Sequence, residues 1–387
     1  MIRYPLILCL GLLAAACVGS APAAPPPPPP PPLASGPVTQ PQGELAPLGQ
    51  ACDGTAQSFV NAVQLLKAGY SPAPGHGTYQ PPSGSPQHWP AAISNDLQQA
   101  FDHAPPFFQQ YLCGLNGIYI NASACPGNDP TKCGAGAPFD GAWGFRSRAP
   151  TDLGDRYIAI SATLWPNGGS ATPFDAYEGQ ILQDYRPAGA GVAVFPSANP
   201  NDPWMTVLAA LAHEVGHVVW AERTIPSVGY NYDFTGLISC PAGDFFAGWA
   251  YNKNDPNHKD LQPKGRWRQY KDRANAANSR LDHSVSSPSL RDLDAPATAN
   301  TALAQLLQPG QPWASLFGAQ TPDEDFVESY VMAVLTGDNP SNGSFAGPLT
   351  SLPLSIPGAT GPAPDVAGDL VSGHKPELAN KIRCIPL

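Results

Sequence analysis

The stretch 203–223 reads PWMTVLAALAHEVGHVVWAER and gives the strongest helix prediction in the chain. Asp202 can cap this helix, and Pro203 suits its first turn, where the missing N–H has no helical partner to lose. Apolar residues surround the few polar ones, so the helix is expected to be buried on most sides. The histidines at its centre therefore need either hydrogen-bond partners or a metal ion.

His213, Glu214 and His217 form the pattern His-Glu-x-x-His within this helix. Successive helical residues turn by about 100°, so the two histidines stand about 40° apart and one turn along. Two imidazoles in that position can hold one tetrahedral Zn²⁺. Glu214 lies beside them, where it can accept a proton from a water molecule that the metal activates. The pattern predicts one zinc ion; the alternative is a pair of core histidines bonded to the backbone.

The third zinc ligand is expected in the segment TPDEDFVESY, residues 321–330. Glu324 and Glu328 are four residues apart on a helix predicted at 322–335, so they share a face. A metzincin is excluded because its motif needs glycine at position 220 and histidine at position 223, where this chain has Trp220 and Arg223.

A His-Glu-x-x-His helix followed by a downstream helix with two acids four apart resembles the gluzincin metallopeptidases, and EDFVE at 324–328 is similar to their lethal-factor-type variant. The resemblance covers only these two helices. It implies a zincin-like domain that hydrolyses peptide bonds, with Glu324 as zinc ligand. It also implies that Glu328 orients a ligating histidine through its other ring N–H. The alternative is a capping box between Thr321 and Glu324, which would leave Glu328 as the ligand.

Peptide hydrolysis also requires a donor for the developing oxyanion, commonly tyrosine, histidine or arginine. Several side chains downstream of the motif helix are candidates, and the sequence does not choose among them. They are His258, Tyr270, His283 and Tyr330.

The rest of the sequence predicts an α+β fold: the motif helix, a small β-sheet beside it and a mainly helical C-terminal half. One buried strand is predicted at 156–164 and a shorter one at 192–195. Helices are predicted at 55–68, at 94–113 with a break at Pro105-Pro106, and at 265–281. The segment 119–143 is expected to be loop-rich, and the tail from residue 343 is rich in glycine, proline and serine, with Cys384 available to pin it.

The first residues predict export. Arg3 precedes a short apolar run at 6–16, which is too short for a permanent membrane span. Two processing routes fit: ordinary signal-peptidase cleavage after Ala16, or a lipobox in which Cys17 becomes the lipidated first residue. The lipobox match is imperfect, because Ala14 stands where leucine is usual. Lipidation would make the protein an outer-membrane or periplasmic lipoprotein; ordinary cleavage would release it as a secreted protein.

Eight consecutive prolines at 25–32 follow the signal. Such a run is extended and spans about 3.1 Å per residue, so it can hold a domain away from a surface. A low-complexity leader without a spacing role is the alternative. The predicted organisation is a signal peptide at 1–16, a proline-rich tether at 17–49 and a metallopeptidase domain at 50–387.

The cysteines agree with an oxidising compartment. Of eight, Cys9 and Cys17 precede the domain, and an even six remain for three disulfides. These are Cys52, Cys113, Cys125, Cys133, Cys240 and Cys384. Cys125 with Cys133 would close a short loop, and Cys52 with Cys384 would join the domain ends.

The formal net charge of −10 gives no basic stripe for nucleic acid. The sequence therefore predicts an exported zinc metallopeptidase that acts on a protein or peptide, an endopeptidase in preference to an exopeptidase. No obligate protein partner is implied. The alternatives are a non-catalytic zinc-binding surface lipoprotein and a hydrolase of peptidoglycan amide bonds.

Overall fold

A computed structural model of the chain gives the fold. It describes residues 52–67, 84–86, 88–134, 142–146, 155–174, 176, 195–196, 202–224, 249–250, 262–263, 307–315, 318, 322–339, 344–355 and 362–385. All of them belong to one compact unit, Gly43–Leu387. Within these ranges, no helix is both long and apolar enough to cross a membrane.

The described part of the chain is mixed helix and strand. The α-helices are α1 (Ala56–Ala62), α2 (Ala91–His103), α3 (Pro106–Cys113), α4 (Pro203–Thr224), α5 (Pro322–Thr336), α6 (Val366–Val371) and α7 (Pro376–Arg383). The strands of the main sheet are β1 (Val63–Leu66), β2 (Gly84–Pro86), β3 (Gly117–Asn121), β4 (Ala142–Arg146) and β5 (Asp155–Ser161). Three two-residue pairings lie elsewhere: 195–196 with 354–355, 249–250 with 262–263, and 338–339 with 344–345.

The main sheet has the strand order β2-β1-β3-β5-β4. Its three central strands are parallel to one another, and the strand at each end of the order, β2 or β4, is antiparallel to its neighbour. Side chains alternate across the sheet, so the isoleucines of β3 and β5 enter the main core while Tyr119, Tyr157 and Ala159 form a second buried cluster with Leu66. Burial on both faces accounts for the continuous apolar runs in these parallel strands.

Helix α4 lies at the centre of the described unit. It contacts α5, α2 and the strands β4 and β5. Its apolar residues from Trp204 to Trp220 are buried, as expected for a helix without a polar face.

Several predicted elements are confirmed. Helix α4 matches the prediction at 203–223, and α5 matches the one at 322–335. The break at Pro105-Pro106 separates α2 from α3, because Pro106 can begin a helix but cannot continue one. The predicted strand at 156–164 is β5, which ends at Ser161 and continues as a 3₁₀ turn.

Other predictions are wrong. The helix expected at 55–68 ends at Ala62, since Val63 takes an extended conformation and starts β1. The segment 119–143 is loop-rich as expected in its described part after β3, where residues 122–134 hold only turns and short 3₁₀ turns, but the tail contains α6 and α7. The helix expected at 265–281, the signal peptide and the tether lie outside the described residues.

The disulfides confirm one predicted pair and overturn another. Cys125 bonds to Cys133, as the short loop suggested. Cys52 bonds to Cys113, with their Cα atoms 4.9 Å apart, so the Cys52–Cys384 pairing is wrong. Cys52 precedes α1 and Cys113 ends α3, and both helices pack into the same core. Cys384 is also disulfide-bonded, and Cys240 lies outside the described residues.

Candidate metal centre

The two motif helices meet along the faces that carry the predicted ligands. Gly216, in the middle of the His-Glu-x-x-His pattern, makes the close approach between α4 and α5: a Cβ atom there would lie 3.2 Å from the Cα atom of Val327. Val327 lies between Glu324 and Glu328 on α5. This contact therefore brings the two glutamates towards His213 and His217.

Three side chains converge at the crossing. Ligand atoms of His213, His217 and Glu324 all lie within 4.8 Å of one another. One Glu324 oxygen is 3.9 Å from Nε2 of His213, and the other is 3.8 Å from Nε2 of His217. The two imidazole rings stand nearly perpendicular, with centroids 4.9 Å apart. Each residue therefore directs a donor atom to a common point.

Glu328 occupies a different position, next to the far side of one ring. Its Oε1 atom lies 2.8 Å from Nδ1 of His213. A carboxylate accepts, so Nδ1 carries the proton and donates, and Nε2 is left facing Glu324. The sequence left open which histidine Glu328 supports, and in the structure it is His213.

The centre is largely shielded from solvent. The side chains of His213 and His217 are 13% and 11% exposed, and Glu324 and Glu328 are 16% and 12% exposed. Glu214 is buried beside them. Burial raises the pKa of Glu214 to about 7, although the nearby His213 ring opposes the shift. A carboxylate with a pKa near neutrality is well matched to general-base catalysis at physiological pH.

The two histidines have different protonation behaviour. Burial lowers the pKa of His213, but the hydrogen bond to Glu328 and the surrounding carboxylate charges outweigh it and raise the pKa to about 9. Burial, together with the charge on His213, holds the pKa of His217 well below its ordinary value. His217 is therefore neutral, which is the form that binds a metal.

The donor set and its spacing fit a zinc ion. Two imidazole nitrogens and a carboxylate are ligands that zinc takes, at about 2.0–2.2 Å each. Tetrahedral geometry then places donor atoms about 3.3 Å apart. The separations of 3.8 and 3.9 Å between Glu324 and the two Nε2 atoms are too long for good direct hydrogen bonds, and a contraction of about half an ångström would suit a shared ion.

The remaining predicted site residues divide into two groups. Tyr330 is buried in the core, where its ring packs edge-on against Phe108. The others lie outside the described residues: His258, Tyr270, His283, Cys17 and Thr321 of the capping-box alternative.

Sequence reasoning missed the part played by Gly216. Its position at a variable site of the pattern carries no metal-binding signal, and only the helix crossing shows why a side chain there would be crowded.

Searches with the sequence and the structure matched no protein-family model, no curated protein and no solved structure.

Proposed function

We propose that this protein is an exported zinc metallopeptidase of the gluzincin type with a zincin-like catalytic domain. The observation that carries the proposal is the convergence of His213, His217 and Glu324 on one point, with ligand atoms within 4.8 Å of one another. These residues come from two helices far apart in sequence. A glutamate with a pKa of about 7 lies next to the cluster.

His213, His217 and Glu324 would hold the ion. Bound zinc supplies a Lewis acid that polarises the scissile carbonyl and makes water more acidic. Glu214 accepts the proton of the attacking water and delivers it to the leaving amine. Glu328 accepts the Nδ1–H of His213 and so orients the ring with Nε2 towards the ion, which would take the place of the Nε2 proton.

The sheet supports a peptide as the substrate. Strand β4 is at one end of the strand order, pairs with β5 on one side and contacts the motif helix α4. An edge strand has backbone N–H and C=O groups that an extended peptide can pair with. A peptide added beside β4 would therefore extend a sheet that packs against the motif helix.

The main alternative to this proposal is a zinc site with a purely structural role. Such sites are normally closed by four protein ligands, often cysteines. In the described part of the chain, every cysteine is disulfide-bonded, and the cluster contains three ligands. These facts favour a site with a position open to substrate. Hydrolysis of peptidoglycan amides instead of proteins would be distinguished by substrate profiling.

The test is metal analysis of the mature full-length protein together with digestion of a peptide library. We expect one zinc per chain and cleavage that a chelator abolishes and added zinc restores. One tightly bound zinc without cleavage of any peptide or peptidoglycan fragment would support the structural-zinc alternative instead.

Glu214→Gln separates catalysis from metal binding. Glutamine has nearly the same size but cannot accept the proton, so turnover should fall by at least about 100-fold while zinc content stays at one per chain. Peptide hydrolysis and zinc content are measured on the same preparation. Retention of wild-type turnover in this variant would rule out the assigned base.

A further inference from the structure

A buried ion pair joins the C-terminal helix α7 to the first turns of α5. Nζ of Lys381 lies 2.8 Å from Oδ1 and 2.6 Å from Oδ2 of Asp325. The two side chains are only 7% and 1% exposed. Asp325 directly follows Glu324, so the ion pair is attached to the helix at the residue next to the predicted zinc ligand.

Other groups also hold the ammonium of Lys381. It donates to the carbonyl oxygen of Pro312 at 3.2 Å and lies 4.6 Å from the ring centroid of Trp313. An ammonium is attracted to the face of an indole ring. The carboxylate of Asp325 is thus paired with a cation that is itself fixed in place.

The net contribution of a buried ion pair to the free energy of unfolding is small and gives little reason to place two charges in the core. Desolvation of a buried ion pair largely cancels its attraction, and well-packed apolar residues often serve as well. A bidentate contact of this kind does, however, define a geometry. Side-chain tips lie about 5–6 Å from a helix axis, so a roll of only about 10° would move the Glu324 carboxylate by about 1 Å. A shift of that size matters for a metal ligand.

We propose that Lys381 and Asp325 are positioning residues for the metal centre, a role that rests on the proposed function because it requires Glu324 to bind zinc. Their ion pair fixes the roll of α5, that is, its rotation about its own axis, and thereby the distance from the Glu324 carboxylate to the two histidine rings. The C-terminal helix α7 contributes to metal binding without supplying a ligand.

The experiment compares zinc dissociation constants of full-length variants by competition with a chromophoric chelator. The test variant combines Asp325→Asn with Lys381→Met, which removes both charges and leaves no buried ion without its partner. The matched control is Lys375→Met. Lys375 is also buried next to α7, but its Nζ donates to the backbone carbonyls of Gln308, Gln311 and Trp313 at 3.1, 3.2 and 3.5 Å, and not to α5.

We expect the double variant to bind zinc about 10–100-fold more weakly and the control to stay within about twofold of the wild type. The visible spectrum of Co²⁺ in the centre should change in the double variant alone, because it reports ligand geometry. A merely structural role would lower the melting temperature of both variants and would leave the zinc affinity and the Co²⁺ spectrum unchanged.

An unchanged zinc affinity in the folded double variant would overturn the proposal, as would an equal loss in Lys375→Met. If the double variant does not fold, Asp325→Glu keeps both charges and adds one methylene group; it should weaken zinc binding severalfold, and an unchanged affinity would again overturn the proposal. A wild-type chain that binds no zinc would refute the proposed function and the positioning role together. Zinc binding that no variant alters would refute the positioning role alone.

Discussion

Glu324 and Glu328 are one helical turn apart on α5 and differ in what they contact. Both oxygens of Glu324 face Nε2 atoms, at 3.8 and 3.9 Å, whereas Glu328 accepts a hydrogen bond from Nδ1 of His213 at 2.8 Å. The first position suits a metal ligand. The second suits a residue that orients a ligand, whose loss typically weakens metal binding by about 10–100-fold.

Substitution of each glutamate by glutamine tests this difference. Glutamine preserves size but is a poor zinc ligand, so Glu324→Gln should be purified without zinc. Glu328→Gln should retain zinc and bind it about 10–100-fold more weakly. Metal content after gel filtration and chelator competition give the two measurements.

Glu377→Gln, at an exposed position on α7, serves as the control and should keep full zinc content. If Glu324→Gln keeps its zinc while Glu328→Gln loses it, the ligand assignment is reversed. The capping-box role of Glu324 would then be the better explanation.

Helical spacing and the resemblance to gluzincins together predicted which of these side chains meet, and their roles in metal binding remain predictions. Helical spacing alone placed His213 with His217 and Glu324 with Glu328. Helical spacing could not predict which histidine ring Glu328 contacts. That depends on the rotation of α5 about its own axis relative to α4. This roll is set by contacts such as those at Gly216 and Asp325, which no local pattern encodes.

The two motif helices approach closely where Gly216 of α4 faces Val327 of α5. A Cβ atom at Gly216 would be 3.2 Å from both Cα and Cγ1 of Val327, which is tighter than ordinary packing. Since Cα belongs to the helix backbone, a side-chain rotation of Val327 cannot relieve the whole contact. A larger residue at 216 must therefore move α5 by a few tenths of an ångström or more.

Gly216→Ala should weaken zinc binding, and Gly216→Val should weaken it further. Alanine favours a helix over glycine by about 1 kcal/mol, so the alanine variant could keep wild-type stability even as the ligands move apart. Zinc dissociation constants and melting temperatures of both variants are measured in parallel. A more stable Gly216→Ala variant with wild-type zinc affinity would show that the helix spacing does not set the ligand distances.

The predicted elements differ in why they were found or missed. Helix α4 was predictable because Asp202 and Pro203 mark its start and an apolar pattern continues along its 22 residues. Strand β1 was missed because the helical pattern of 55–68 continues past Ala62, where pairing with β3 selects an extended chain. Helices α6 and α7 are short, and their glycine- and proline-rich surroundings obscured them. The tertiary contacts of Lys375 and Lys381 now account for the place of α7.

The whole molecule carries covalent links that agree with an oxidising compartment. The Cys52–Cys113 bond joins residues with a sequence separation of 61, and the Cys125–Cys133 bond joins residues with a separation of 8. Cys384 is also disulfide-bonded. We expect thiol titration under denaturing, non-reducing conditions to find no reactive cysteine in the mature chain, apart from an unmodified Cys17. Several reactive thiols would contradict the predicted three disulfides and the export that they imply.

Stability of the whole fold should depend on pH through the buried Lys375. Its side chain is fully buried, and burial lowers the pKa to about 8 from an ordinary value of 10.5. Between these two values the unfolded chain binds more protons at this site than the folded chain does. The free energy of unfolding therefore rises with pH in this window, by at most about 1.4 kcal/mol per pH unit from this group.

Lys375→Met isolates that contribution, because the other titrating groups remain in both proteins. Urea unfolding at fixed zinc concentration, from pH 6 to pH 10.5, gives the free energy of each protein. Below about pH 7 the lysine is charged in both states, so the difference between the two proteins should be constant. From pH 8 upwards the wild type should gain stability relative to Lys375→Met, since its buried ammonium loses its charge on folding. A difference that stays constant across the whole range would mean that the three backbone carbonyls around Nζ offset the cost of burying the charge.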